Sequence, residues 1–197
     1  RTADNVNDLY RRIQTAVLSP QTLVNAWFIP NVPWHQFDED KNKRHQLRDD
    51  RKELEAAVRQ MFNLRMRLVP YLYAAFNEYR VQGIPPFRAL VMDYPDDKHT
   101  YTIDDAYIVG PSLLAAPLFG DQTRRSVYLP KGKWYCFWTH KSYDGGQSYS
   151  IEMPNEKIPL FVKDNTLLAL AEPVEYIRSD TVFELTVYAY GDHCRET

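Results

Sequence analysis

The sequence predicts a chain of two unlike parts, an α/β segment followed by an all-β one, and three observations carry that prediction. A 3.6-residue apolar period runs from Leu54 to Tyr79 and stops at Gly83. After "GIPP", residues 83–86, the period disappears, and short runs rich in strand formers follow, separated by turn signals. Ahead of the long period, a shorter helical segment leads straight into an apolar run flanked by prolines, and helix then strand is half of a βα alternation. The boundary between the parts is placed at residues 83–86.

The first element is "NVNDLYRRIQTAVLSP", in which Val6, Leu9, Ile13, Ala16 and Val17 fall at helical spacing. Asp4 or Asn5 is available as its N-cap, and Ser19-Pro20 is its stop. "TLVNAWF" follows as a short strand, then the mixed-sign stretch "FDEDKNKRHQLRDDR" as a solvated connection. The long helix opens with Asp50 and Glu53 in capping-box spacing. It presents Leu54, Ala57, Val58, Met61, Phe62, Leu68, Val69, Leu72, Ala75, Phe76 and Tyr79 on its apolar face. Pro70 must kink or split it, because its ring clashes with the Met66 carbonyl and it has no N–H to donate. Beyond it lie "FRALVMDY", "AYIVGPSLLAAPLF", "SVYLPKGKWYCFW", "QSYSIEM", "PLFVKDNTLLAL" and "TVFELTVYAY", punctuated by "YPDDK", "PKGK", "YDGGQ" and "VKDN". Strands at this spacing predict an antiparallel sandwich or barrel.

Composition bounds the function. The net charge of −2 is dispersed and no basic block exists, so neither nucleic acid nor an anionic membrane is indicated as a partner. No apolar run approaches the roughly 20 residues of a membrane span. The chain opens at "RTADN" without a methionine or a signal-peptide order, as expected if it begins within a longer protein, and its compartment is left open. Cys136 and Cys194 lie far apart with no histidine at ligand spacing, which signals neither a zinc site nor a disulfide, and no cofactor is implied.

Acid-base catalysis needs two carboxylates held on a scaffold. Asp93, Asp96, Asp97, Asp104, Asp105, Asp121 and Asp144 all read as turn formers or solvated charges. "GPSLLAAP" lacks the nucleophile elbow, and His35, His45, His99, His140 and His193 pair with no nucleophile by recognised spacing. Spacing alone therefore gives no catalytic constellation.

Five stretches, "RLVPYLYAAF", "PPFRALVMDYPDD", "YIVGPSLLAAPLF", "VYLPKGKWYCFW" and "IPLFVKDNTLLAL", resemble in order and spacing the C-terminal half of glycoside hydrolase family 31, the retaining α-glucosidases and α-xylosidases. "DLYRRIQTAVLSP" looks like that family's helix after the seventh barrel strand, and "LVNAWFIPNVPW" takes the place of its eighth strand and loop. The resemblance implies the C-terminal units of a (β/α)8 TIM barrel followed by an antiparallel β-sandwich. Residues 1–84 would be the last helix-strand-helix, 85–172 the proximal sandwich, and 173–197 the start of a further β region.

A full barrel takes about 250 residues, so this chain cannot close one. The family's catalytic aspartates would lie on strands upstream of Arg1, leaving no catalytic residue here. The implied partners are an oligosaccharide or glycoside substrate and the missing upstream barrel segment. Pro33-Trp34 matches the family's Pro-Trp pair, while Leu23 and Asn25 stand where it carries an arginine and a sugar-binding histidine. Asn25 can donate to and accept from sugar hydroxyls, and Trp27 or Trp34 can offer a flat face to a sugar ring, so these three are the candidate substrate-binding residues. A non-catalytic carbohydrate-binding or scaffolding module, or an α-glucan lyase of the same family, is the alternative. The isolated chain is expected to expose helix faces that the missing barrel would cover.

Overall fold

A computed structural model of the chain describes residues 6–23, 40, 42 and 49–194. The first helix, α1 (Val6–Val17), turns Tyr10, Ile13 and Val17 inward together with two polar residues, Arg11 and Gln14. Helix α2 (Arg51–Arg67) buries Leu54, Ala57, Val58, Met61 and Leu64, as its period requires. The capping box does not form. Asp50 sits at φ −87°, ψ 16° and its side chain makes no cap hydrogen bond, because a cap carboxylate reaches the first-turn amides only from extended backbone. The first turn instead closes through the backbone, Leu54 N to Asp50 O at 3.0 Å.

Pro70 splits the long helix. Leu68 is at once the C-cap of α2 and the N-cap of α3 (Val69–Gln82), so Pro70 falls in the first turn of α3, where a missing N–H costs nothing. Gly83 ends α3 at φ 76°, its amide bonded to Tyr79 O at 2.8 Å. On the outer side of α3, Tyr73 and Phe76 are exposed.

Every strand pair among the described residues is antiparallel. A six-stranded sheet runs in the order β1 (Phe87–Ala89), β2 (Tyr107–Val109), β3 (Leu113–Ala115), β8 (Leu160–Lys163), β5 (Lys133–Cys136), β6 (Ser142–Asp144). Two ribbons complete the architecture, β4 (Arg124–Leu129) with β7 (Gln147–Glu152), and β9 (Thr166–Ala171) with β10 (Leu185–Tyr190).

Alternation along each strand of the large sheet sorts its side chains into two cores. Val109, Leu113, Ala115, Leu160 and Val162 join α1, α2, α3 and the inner face of the β9–β10 ribbon. Ile108, Leu114, Trp134, Cys136 and Phe161 face the β4–β7 ribbon through Val127, Leu129 and Ile151. The sheet is therefore buried on both faces, which explains why "YIVGPSLLAAPLF" reads as continuously apolar rather than alternating.

Two sequence expectations change. "FRALVMDY" is not one strand: after Ala89 the chain makes the short helix α4 (Leu90–Asp93), closed by Tyr94 N to Leu90 O at 3.0 Å and seating Leu90 fully in the second core. "YDGGQ" is more than a turn, because Tyr143 and Asp144 belong to β6 and pair with Trp134 and Lys133. The apolar run around "VGPS" breaks at Gly110 into the β2–β3 hairpin. Residues 185–190, predicted within a further β region, pair along their full length with β9. The predicted strand "TLVNAWF" lies outside the described residues beyond Leu23.

Candidate functional site

Asn25, Trp27 and Trp34 lie outside the described residues. The turn that precedes them, residues 16–22, is described in full, and each carbonyl from Ala16 to Gln21 accepts a hydrogen bond. A helix end leaves its last carbonyls without intrahelical donors. Here the carbonyl of Ala16 accepts from Ser19 N at 3.2 Å and from the Thr22 hydroxyl at 2.8 Å. Arg65, in the last turn of α2, donates Nη1 to Ser19 O at 2.7 Å and Val17 O at 3.3 Å, and Nη2 to Pro20 O at 3.4 Å. The Tyr107 hydroxyl, on β2, donates to Leu18 O at 2.9 Å. A guanidinium at a helix C-terminus also meets the negative end of the helix dipole. Burial lowers the Arg65 pKa and pushes the Tyr107 hydroxyl up to about 12, so Tyr107 keeps its proton, and its role as donor, near neutrality.

Beside this turn, Thr15 and Leu18 face Phe87, Ala106 and Tyr107 across an open cleft of about 400 Å³. The turn is thus held between a helix on one side and the sandwich on the other.

A second polar cluster docks α1 on the β part. Arg11, 3% exposed, donates to Gln14 Oε1 at 3.1 Å, to Gln122 O at 2.8 Å and to Asn155 Oδ1 at 3.0 Å. Gln14 Nε2 donates to Asn155 O at 2.6 Å and Lys157 O at 3.0 Å. These partners satisfy both terminal nitrogens of a charged group that would otherwise be very costly to bury, while its buried Nε has no hydrogen-bond partner among the described residues. Sequence reasoning missed Arg11, Gln14, Arg65 and Tyr107. The available signal was two polar residues inside the buried stripe of α1, at the same helical spacing as Tyr10, Ile13 and Val17.

Three of the carboxylates weighed from the sequence are tied to nearby side chains or amides. Asp93 holds Arg88 through two bonds, to Nε at 2.5 Å and Nη2 at 2.7 Å. Asp105 pairs with Arg125. Asp97 accepts from the Tyr128 hydroxyl at 2.6 Å and from the His99 amide at 3.1 Å, and the Tyr128 bond lowers its pKa first of all. His99 stacks on Tyr128 and His140 stacks on Tyr188. Cys136 and Cys194 are free thiols. Among the described residues no three of His, Cys, Asp and Glu cluster as a metal site, and no helix is long and apolar enough to cross a membrane.

Residues 83–168 match the model of the glycosyl hydrolase family 31 C-terminal domain. Alpha-glucosidase 2 of Bacillus thermoamyloliquefaciens is 37% identical over 119 residues, 60% of this chain and 15% of that protein. The crystal structure of the family 31 alpha-xylosidase of Xanthomonas citri superposes with a TM-score of 0.80 at 28% identity, over 94% of this chain and 19% of that one. The chain resembles the C-terminal portion of glycoside hydrolase family 31 proteins. A second family 31 structure, a Flavobacterium johnsoniae dextranase complexed with isomaltotriose, superposes with a TM-score of 0.76 at 26% identity over 94% of this chain and 22% of that one. The chain spans 15–22% of the length of these proteins. Both structural matches extend over nearly the whole chain, beyond the 83–168 segment that the domain model covers.

Proposed function

We propose that the chain is the C-terminal part of a retaining α-glycosidase acting on α-linked glucose or xylose saccharides. Its catalytic aspartates lie on barrel strands that precede Arg1 in the complete protein, and the upstream barrel segment and a glycoside substrate are its partners. Residues 1–84 form the last helix-strand-helix of the (β/α)8 barrel, 85–172 the proximal sandwich, and 173–197 the start of a further β region. The observation that carries this reading is the family 31 C-terminal domain at residues 83–168, whose sheet shares one apolar core with α1, α2 and α3. Relatives named as an alpha-glucosidase and an alpha-xylosidase support the substrate class.

In such a mechanism one carboxylate attacks the anomeric carbon and a second, about 5 Å away, protonates the leaving oxygen and then activates water. Barrel sites of this kind lie at the C-terminal ends of the strands. In this reading Asn25 is assigned to the end of the presumed eighth strand, and Asn25, Trp27 and Trp34 are the proposed sugar contacts, an amide and two flat rings.

The test incubates the complete protein, and separately the 197-residue chain, with aryl α-glucosides and α-xylosides. Turnover by the complete protein with an α-configured sugar as first product, and none by the chain alone, is the expected result. Turnover by the chain alone overturns the placement of the aspartates. Sugar binding without turnover by the complete protein favours the module reading, and an unsaturated elimination product favours the lyase. Asn25→Ala in the complete protein is expected to raise KM; unchanged kinetics with lower stability would make Asn25 a loop anchor.

A further inference from the structure

We propose that the groove between α2 and the chain leaving β9 is a binding site for a neutral oligosaccharide, held by Gln60, Asn63 and Arg67 on one wall and Glu172 on the other. The proposal stands on the groove alone and does not depend on the glycosidase assignment.

Helix geometry sets the first wall. Gln60, Asn63 and Arg67 recur at i, i+3 and i+7, which places them along one stripe of α2. With Leu64, Trp138, Glu172 and Pro173 they line a cavity of about 340 Å³. Beside it, a second cavity of about 520 Å³, lined by Glu55, Arg59, Phe62 and Met66, shares Asn63 and Pro173 with the first. The two form one groove along α2 from Glu55 to Arg67, about 18 Å of helix. That length suits a chain of sugar rings rather than a single one.

The polar groups of the first cavity are uncommitted. The side chains of Gln60, Asn63, Arg67 and Glu172 make no hydrogen bond or ion pair with another described residue, although Arg67 and Glu172 line the same space. Exposed polar side chains commonly bond water alone; these differ in converging from two facing walls on one concavity, with the buried Leu64 and the half-buried Trp138 as apolar lining. A few convergent polar groups set among apolar ones is the pattern of small-molecule sites. Amides donate and accept, a guanidinium only donates and a carboxylate only accepts, so the set matches hydroxyl groups, which do both. Charge along the groove is nearly balanced, Arg59 and Arg67 against Glu55, Glu172 and Glu175, with Arg59 paired to Glu55. An ionic ligand would meet its own sign as well as the opposite one, and a neutral polyhydroxyl chain meets no such repulsion.

Both walls are formed before any ligand arrives. Helix α2 is seated by Leu54, Ala57, Val58, Met61 and Leu64. Across the groove, Glu172 N donates to Glu184 O at 3.0 Å, one step beyond the Ala171–Leu185 pair, and Pro173 fixes the next φ. Trp138 is held by its Nε1 bond to Ile158 O at 2.7 Å and by edge contact with Phe137. Binding here therefore costs little reorganisation.

The experiment is affinity electrophoresis of the complete protein in native gels cast with soluble starch, dextran or xyloglucan. The variants are Gln60→Ala, Asn63→Ala, Glu172→Ala and the Asn63→Ala/Glu172→Ala pair, and the control is Arg80→Gln, an exposed arginine bonded to Asn77 on α3. Gln60 and Asn63 are exposed helical positions where alanine raises helix propensity, so the fold survives their replacement. Retardation of the wild type by at least one polysaccharide is expected. Each single substitution should raise that dissociation constant by about 3- to 10-fold, the loss of one hydrogen bond. The pair should raise it further than either, and Arg80→Gln should leave it unchanged. Groove variants retarded as strongly as the wild type would overturn the proposal, because the sugar would then be held elsewhere. A wild type retarded by none of the three polysaccharides would also overturn it, as would retardation that disappears at high salt, the mark of ionic adsorption.

Discussion

Gly110→Ala tests the joint between α3 and the sandwich. Gly110 turns the β2–β3 hairpin at φ +59°, and a Cβ placed there meets Cε1, Cζ and the hydroxyl oxygen of Tyr71 at 2.6 Å. The ring cannot easily yield. It is buried, its hydroxyl donates to Val109 O at 2.7 Å, and its oxygen accepts from Ser112 N at 2.9 Å and lies 3.2 Å from Ser112 Oγ. Two costs add: about 1–2 kcal/mol for a side chain in left-handed backbone, and about 1–3 kcal/mol for overpacking a well-filled core. The expected loss is about 2–5 kcal/mol, read from urea denaturation followed by circular dichroism at 25 °C, with an unchanged m-value. In a Tyr71→Leu background the clashing ring atoms are gone, so the same substitution should cost only the backbone part, about 1–2 kcal/mol. A single-mutant loss below about 1 kcal/mol, or equal losses in the two backgrounds, would refute the close approach of ring and hairpin.

Three other outcomes follow from separate polar contacts. Burial pushes the Tyr71 hydroxyl up to about 12 from an ordinary value of 10.0, so the folded state holds that proton more tightly. Its contribution is full below pH 10 and is lost as pH rises from 10 to about 12; Tyr71→Phe should flatten that part of the alkaline stability curve, and an unchanged curve would refute the assignment. Arg11→Ala strands the buried Gln14 Oε1 and frees the more accessible Gln122 O and Asn155 Oδ1, and should cost about 1–3 kcal/mol in chemical denaturation, the cost of one buried group left unpaired; a loss under about 1 kcal/mol would mean that water replaces the guanidinium freely. Tyr128→Phe removes the leading cause of the lowered Asp97 pKa, so a carboxyl NMR titration should show that pKa rise toward its usual value of 3.8, and no movement would rule out the bond.

Elements governed by neighbouring residues were legible in the sequence. The apolar period of α2 and α3, the break at Pro70 and the stop at Gly83 follow from local sterics and one-sided burial. The capping box at Asp50 was misread because spacing specifies which residues can cap but not the backbone angle from which they do it. The strand-like "LVMD" became a helical turn because Arg88 gathers Asp93 from five residues away while Leu90 drops into the second core. Of the site, spacing alone marked no constellation, and Asn25 acquired meaning only through family resemblance.

By itself, then, the sequence determined the helical period of α2 and α3 with its break at Pro70 and stop at Gly83, and which side chains are apolar enough to be buried. Tertiary structure decided which polar groups meet. Arg11 finds Asn155 across 144 residues, Tyr107 finds Leu18 across 89, and Arg65 finds Ser19 across 46. No local period encodes such pairs. They exist because the six-stranded sheet, assembled in an order far from that of the chain, presents two apolar faces, and α1 and α2 settle on one of them with their polar residues already opposite waiting donors and acceptors.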